Sequence, residues 1–188
     1  FKKPSEKVLT ILLSPPTNEH IKIYNKYCVN YKNKNNKRSR CSNFIGFQAY
    51  LVFSNNDIIG PCIPSQGSPS DSKLPSKHAE IGVIDYAISI RRNIKKATLY
   101  CVRWIYDKEN EVWLLADGVP CADCFNYAIS CGITKFGISS SELSTIIKTP
   151  ISYIKMNTKY SKGRKLINTM DIPVSQKVTS SVITSIKG

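Results

Sequence analysis

Two short motifs hold the side chains best suited to chemistry. They are His78-Ala79-Glu80 and Pro120-Cys121-Ala122-Asp123-Cys124, with 42 residues between His78 and Cys121. A Cys-x-x-Cys pair puts two thiolates within reach of one ion, and an imidazole from a neighbouring element makes a third ligand. Three protein ligands leave the fourth position of tetrahedral zinc for water, the pattern of catalytic rather than structural sites. Zinc lowers the pKa of such a water towards ~7, so hydroxide forms near neutral pH. Glu80, two residues past His78, can take a proton from that water without ligating the metal and pass it onward. A purely structural zinc would need a fourth protein ligand. Cys131 lies on the same expected helix as Cys124 but ~10 Å along its axis, too far to complete the set. Cys101 and Cys62 are the thiols left for that role, each read more simply as a buried or loop cysteine.

The motifs must be held by structure, and the flanking sequence suggests which. Glu6 to Leu13 carries a short helical pattern that stops at Ser14-Pro15-Pro16. Thr17 suits the N-cap of a second helix through about Tyr31, followed by an Asn/Lys/Arg-rich loop to Cys41. Phe44 to Phe53 reads as a buried strand, Ser54 to Asp57 as a hairpin turn, and Ile58-Ile59 as the start of the return strand. The Pro- and Ser-rich stretch from Gly60 to Ser76 is expected to be irregular. From His78 to Arg92 the spacing of Ile81, Ile84, Ala87 and Ile88 predicts an amphipathic helix. Strands are expected at Ala97 to Tyr106 and Glu111 to Ala116 around a polar turn at Asp107 to Asn110. A helix from Cys121 to Cys131 closes on Gly132, a strand follows at Lys135 to Ile138, and a short helix at Ser141 to Lys148. Strands alternating with helices predict a three-layer α/β/α arrangement around a mixed central sheet. Residues 44–149 form the expected catalytic domain, with basic extensions at 1–43 and 150–188. In both motifs the liganding residues open helices, whose partial positive charge favours thiolate over thiol, so both cysteines are expected to be ready to ligate near neutral pH.

The chain has 188 residues with 41% hydrophobic content, enough to build a core. No apolar run approaches the ~20 residues of a membrane span, so no membrane partner is expected. Phe1 in place of an initiator Met suggests a trimmed or processed chain. Seven cysteines, an odd number, argue against a closed disulfide framework and for an intracellular, reducing compartment. Cys28, Cys41 and Cys131 read as ordinary thiols, His20 as a surface or cap residue, and Asp123 as a first-turn acid. The formal charge of +14 points to anionic ligands. Seven Lys/Arg between Lys22 and Arg40 are interleaved with Tyr24, Tyr27 and Tyr31, and six more lie between Lys148 and Lys165, with no acid in either run. Cations among stacking rings suit single-stranded nucleic acid; a solvated basic surface is the simpler reading of each run alone, and only the two runs with the total charge bring polyanion contact level with it.

In this order, on these elements, the motifs resemble those of the zinc-dependent cytidine deaminase superfamily, in which His-x-Glu is paired with Pro-Cys-x-x-Cys. That family includes the cytidylate and deoxycytidylate deaminases and the tRNA adenosine deaminases. Ala97 to Arg103 is similar to the family strand before the second motif, and Ile129 to Ile138 to the helix end and strand after it. The resemblance spans Phe44 to Ile138. It implies that His78, Cys121 and Cys124 bind zinc, that Glu80 is the proton shuttle, and that backbone groups of Ala79 and Pro120 line the base pocket. Two features depart from the family pattern. The spacing between the motifs is long, much of it in the hairpin around Asp107 to Asn110. Where the family commonly has a Gly-x-Asn that holds the sugar, this chain has Gly60-Pro61-Cys62.

The function expected from the sequence is a zinc-dependent hydrolytic deaminase, a hydrolase acting on a C–N bond. Zinc-bound hydroxide is the nucleophile and Glu80 the shuttle, with cytosine ahead of adenine as the base. A free nucleotide and DNA or RNA stand level as the substrate. The alternative is a catalytically inactive deaminase-fold protein, a zinc-stabilised module for nucleic-acid binding or structure, with contacts through the basic extensions. Family members often associate, so a homo-oligomer is also consistent with the resemblance.

Overall fold

Strand β3 (Thr98–Asp107) organises the sheet because its first half is buried on both faces and it has neighbours on both edges. The computed structural model describes residues 4–19, 22, 45–63, 78–107 and 109–159. Along one edge β1 (Ile45–Val52) runs antiparallel to β3, with Ala49 opposite Cys101 and Phe47 opposite Arg103. β2 (Ile58–Cys62) pairs outside β1 as an edge strand. The other edge of β3 is shared: β5 (Lys135–Ser140) lies parallel to its first half, and β4 (Val112–Ala116) folds back antiparallel on its second. β6 (Thr145–Thr149) closes the far side against β5. The sheet is therefore mixed, and the parallel β3–β5 pair is joined by a helical crossover, as parallel neighbours require.

Helices cover both faces. On one, α1 (Glu6–Leu12) sets Val8 and Leu12 against Tyr50, Val52, Tyr100, Val102 and Trp104. Its first turn is capped by Ser5, whose Oγ accepts from the Val8 amide at 3.3 Å. On the other, α2 (Ala79–Ser89), α3 (Ala122–Ser130) and α4 (Ile151–Asn157) pack over Ala49, Leu51, Leu99, Cys101, Phe136 and Ile138. This is the three-layer α/β/α architecture expected from the alternation of elements. No helix among the described residues is long and apolar enough to cross a membrane.

Several local expectations are corrected. Ser141 to Lys148 is not a helix. Residues 141–144 are a turn with Ser144 at φ +48°, and Thr145-Ile146-Ile147 starts β6. The β-branched run prefers a pleated surface, and Asp117 Oδ1 holds the turn by accepting from both the amide and hydroxyl of Ser141. The loop expected from Gly60 begins later, because β2 continues through Gly60-Pro61-Cys62; its edge position tolerates a proline without an N–H. On α2 the buried stripe is Glu80, Val83, Ile84 and Ala87, with Ile81 and Ile88 flanking it half-buried. The segment after Pro150, read above only as a basic extension, forms α4, and Ile154 on it is fully buried.

Of the second expected helix, Asn18, Glu19 and Lys22 are helical. The rest of that segment, His20, Cys28, Cys41, the basic run to Arg40 and residues 64–77 lie outside the described residues, as does the basic run beyond Lys159.

Candidate metal centre

The two helices that carry the motifs begin side by side. His78 is the N-cap of α2 and Cys121 the N-cap of α3, and neither side chain caps its own helix. An N-cap without a Ser, Thr, Asp or Asn bond forgoes about 1 kcal/mol of helix stability. Here both side chains turn to each other instead. His78 Nδ1 lies 3.4 Å from Cys121 Sγ and 3.3 Å from Cys124 Sγ. The three ligand atoms all lie within 4.8 Å of one another, and no fourth His, Cys, Asp or Glu among the described residues joins them.

The N-terminus of α3 is anchored from outside. The Ala122 amide, one of the helix's unpaired donors, donates to the Lys159 carbonyl at 2.9 Å. The Thr158 hydroxyl donates to the Pro120 carbonyl at 2.8 Å. Residues 158–159, which follow α4, thus hold the segment that presents Cys121. The sequence signal was there in Ile151 and Ile154 after a helix-starting proline, but no periodicity links that helix to the motif 30 residues earlier.

Gly118 is the other positioning residue. A Cβ there would stand 2.2 Å from the Cys101 carbonyl oxygen and 2.7 Å from Ser139 Oγ, and the Gly118 amide donates to the Ser139 carbonyl at 2.9 Å. Gly118→Ala should therefore lift the irregular segment that leads into Cys121, at a cost of about 1–3 kcal/mol. A lowered unfolding temperature together with reduced zinc uptake is the expected result; an unchanged melting curve would show that the backbone gives way freely.

The electrostatics follow from proximity and burial. In the metal-free chain Cys121 has its pKa lowered to about 4, chiefly by the hydrogen bond from Cys124 and then by that from His78. His78 is raised to about 9 by its hydrogen bond with Cys121, against the opposing effect of burial. Cys124, fully buried, is held well above the ordinary thiol range by its bond to Cys121 and by desolvation. Before a metal binds, two sulfurs this close favour one thiolate and one thiol, with Cys121 the lowered and Cys124 the raised member of the pair. Glu80, only 3% exposed, is raised by burial, lies in the field of His78, and is hydrogen-bonded to Cys124. Cys101 lies beneath, fully buried, its thiol also pushed up by desolvation. Ala79 and Pro120 have fully buried side chains.

The donor set fits zinc. A tetrahedral ion with Zn–N near ~2.0 Å and Zn–S near ~2.3 Å would hold nitrogen and sulfur about 3.6 Å apart, close to the spacings found. One imidazole and two thiols are also the ligand types that zinc takes, and a hard cation such as magnesium would not select them. His78, Cys121 and Cys124 could hold such an ion with Glu80 beside it.

The three-layer fold and the meeting of His78, Cys121 and Cys124 are what the resemblance read from the sequence implies. No protein-family model matches the chain, and no curated protein matches it by sequence. Among solved structures, the crystal structure of the cytidine deaminase from Bacillus anthracis superposes at a TM-score of 0.42 with 15% identity, covering 87% of this chain and 98% of that one.

Proposed function

We propose that this chain is a hydrolytic deaminase that removes the exocyclic amine of a cytosine base, with His78, Cys121 and Cys124 as zinc ligands and Glu80 as the proton carrier. The observation that carries the reading is a buried carboxylate set beside a three-ligand group with no fourth protein ligand among the described residues. A structural zinc has no use for such a carboxylate, and burying one costs free energy unless something is gained from it. Zinc, when bound, supplies Lewis acidity that makes a water acidic enough to ionise near neutral pH.

Glu80 then has two tasks. Its carboxylate takes a proton from the attacking water and gives it to the ring nitrogen next to the amine-bearing carbon. It relays a second proton to the amine as the C–N bond breaks. Water is consumed, a C–O bond replaces the C–N bond, and ammonia leaves. Burial serves this role, since it raises Glu80 above the usual carboxylate range and so makes it a better proton acceptor. Backbone groups of Ala79 and Pro120 stand at the two helix starts, where they would border the base. The Pro120 carbonyl already accepts one bond from Thr158 and has a second lone pair left.

A second reading, a non-catalytic zinc-stabilised module, is favoured by one feature: β2 ends in Gly60-Pro61-Cys62, with no side-chain amide where the resemblance would place a sugar contact. The test for both is ammonia release from dCMP, CMP, single-stranded DNA and tRNA by a chain with measured zinc content. Turnover on a cytosine substrate supports the deaminase. A fully zinc-loaded chain that is inert on all four, yet binds DNA or RNA tightly, supports the module.

A further inference from the structure

The site has a polar neighbour that the reaction above does not use. On the face of the sheet covered by α2, α3 and α4, Cys62, Ala49 and Cys101 lie in one row across β2, β1 and β3. The first turn of α2 rests on that row, since a Cβ at Gly82 would stand 2.7 Å from Cys62 Sγ. From there α2 runs towards the β1–β2 turn: Arg92, just past its end, binds Asp57 at 3.0 Å and lies over Phe53. The next row on the same face, Phe47 opposite Arg103, therefore falls on the other side of the helix starts, beyond the reach of the helix body. It lies one strand repeat of two residues, ~7 Å, from the row under the ligand group.

Among the described residues, Arg103 occupies that position with its Nε unpaired. Its guanidinium sits over the Phe47 ring, 5.4 Å from the centroid. Nε is buried and makes no hydrogen bond among the described residues, and no carboxylate there pairs with the side chain. Asp117 lies within its field but turns Oδ1 to Ser141. Leaving a buried N–H unpaired costs ~1–3 kcal/mol. A guanidinium stacked on a ring, with its Nε unpaired among the described residues, is a side chain well matched to a phosphate.

We infer that Arg103, seated on Phe47 at the mouth of the ligand group, recognises the phosphate of a pyrimidine mononucleotide and selects it over the free nucleoside. The inference rests on the deaminase reading of the site and names its substrate class. It also accounts for Gly60-Pro61-Cys62: a substrate held by its phosphate has less need of a sugar-binding amide.

The test uses product analogues, so that turnover does not disturb binding. Calorimetry on the zinc-loaded chain would compare dUMP, deoxyuridine, inorganic phosphate and a short single-stranded oligo(dU). The native chain is expected to bind dUMP at least ~10-fold more tightly than deoxyuridine, as a charge-assisted phosphate contact implies. Arg103→Gln should erase that difference and leave deoxyuridine affinity, zinc content and unfolding temperature unchanged, while Arg103→Lys retains part of it. A Gln variant that keeps the dUMP preference overturns the inference. So does an Arg103-dependent affinity found for oligo(dU) and not for dUMP, which would assign the guanidinium to a strand. If the chain binds dUMP and phosphate through Arg103 but deaminates nothing, the anion site stands and the deaminase reading falls. If it deaminates while binding dUMP and deoxyuridine equally, the reverse holds.

Discussion

Glu80→Gln is expected to reduce deamination of the best cytosine substrate about 10²–10⁴-fold, the span that positioned general acid–base groups contribute, with zinc content unchanged. The amide keeps the size and burial of the glutamate but can neither accept nor donate the transferred protons. Glu80 lies outside the ligand group, so the metal should remain. Stability supplies the control. Burial raises the Glu80 pKa, so its neutral form is the one the folded chain prefers. A neutral glutamine should therefore hold or raise the unfolding temperature, most clearly at high pH: a folded-state pKa above the unfolded one contributes stability at low pH that is lost as pH rises through it. A variant within threefold of native activity would remove Glu80 from the chemistry. One that loses activity and zinc together would make it a support of the ligand group instead.

The meeting of His78, Cys121 and Cys124 was legible because few residue types ligate zinc and because both motifs sit where helices begin. The alternation of strands and helices likewise carried the layer order. What stayed hidden depends on contacts between distant segments. Ser141 to Lys148 has helix-compatible residues, and only the pairing of β6 with β5 and the Asp117 bonds to Ser141 decide for a turn and strand. The role of residues 158–159 in anchoring Pro120 and Ala122 involves two segments more than 35 residues apart. Arg103 over Phe47 depends on cross-strand register, and a one-residue slip of β1 would move Phe47 to the other face, away from Arg103.

The unequal cysteines have the same origin and carry the last prediction. From the helix starts alone, both thiols should be acidified. Burial and mutual hydrogen bonding instead leave the metal-free chain at pH 7 with Cys121 as a thiolate, since its pKa is about 4, His78 protonated, since its pKa is about 9, and Cys124 as a thiol. Zinc takes neutral imidazole and thiolates, so its binding must expel one proton from His78 and one from Cys124. Two protons released make the apparent affinity rise with pH by about 100-fold per unit, each proton contributing ~1.4 kcal/mol per unit. Between pH 6 and 8 that is about 10⁴-fold from the two ligand protons, and ionisation of a zinc-held water in the same window would add to it. Zinc calorimetry in buffers of different ionisation enthalpy counts the protons directly, and competition with a chelator across pH gives the slope. Cys124→Ser should lower the count to about one if the serine stays protonated, and weaken binding as well. A native count near zero, or an affinity flat from pH 6 to 8, would mean that the imidazole and both sulfurs are already deprotonated before the metal arrives, and the proton-sharing described for this cluster would be wrong.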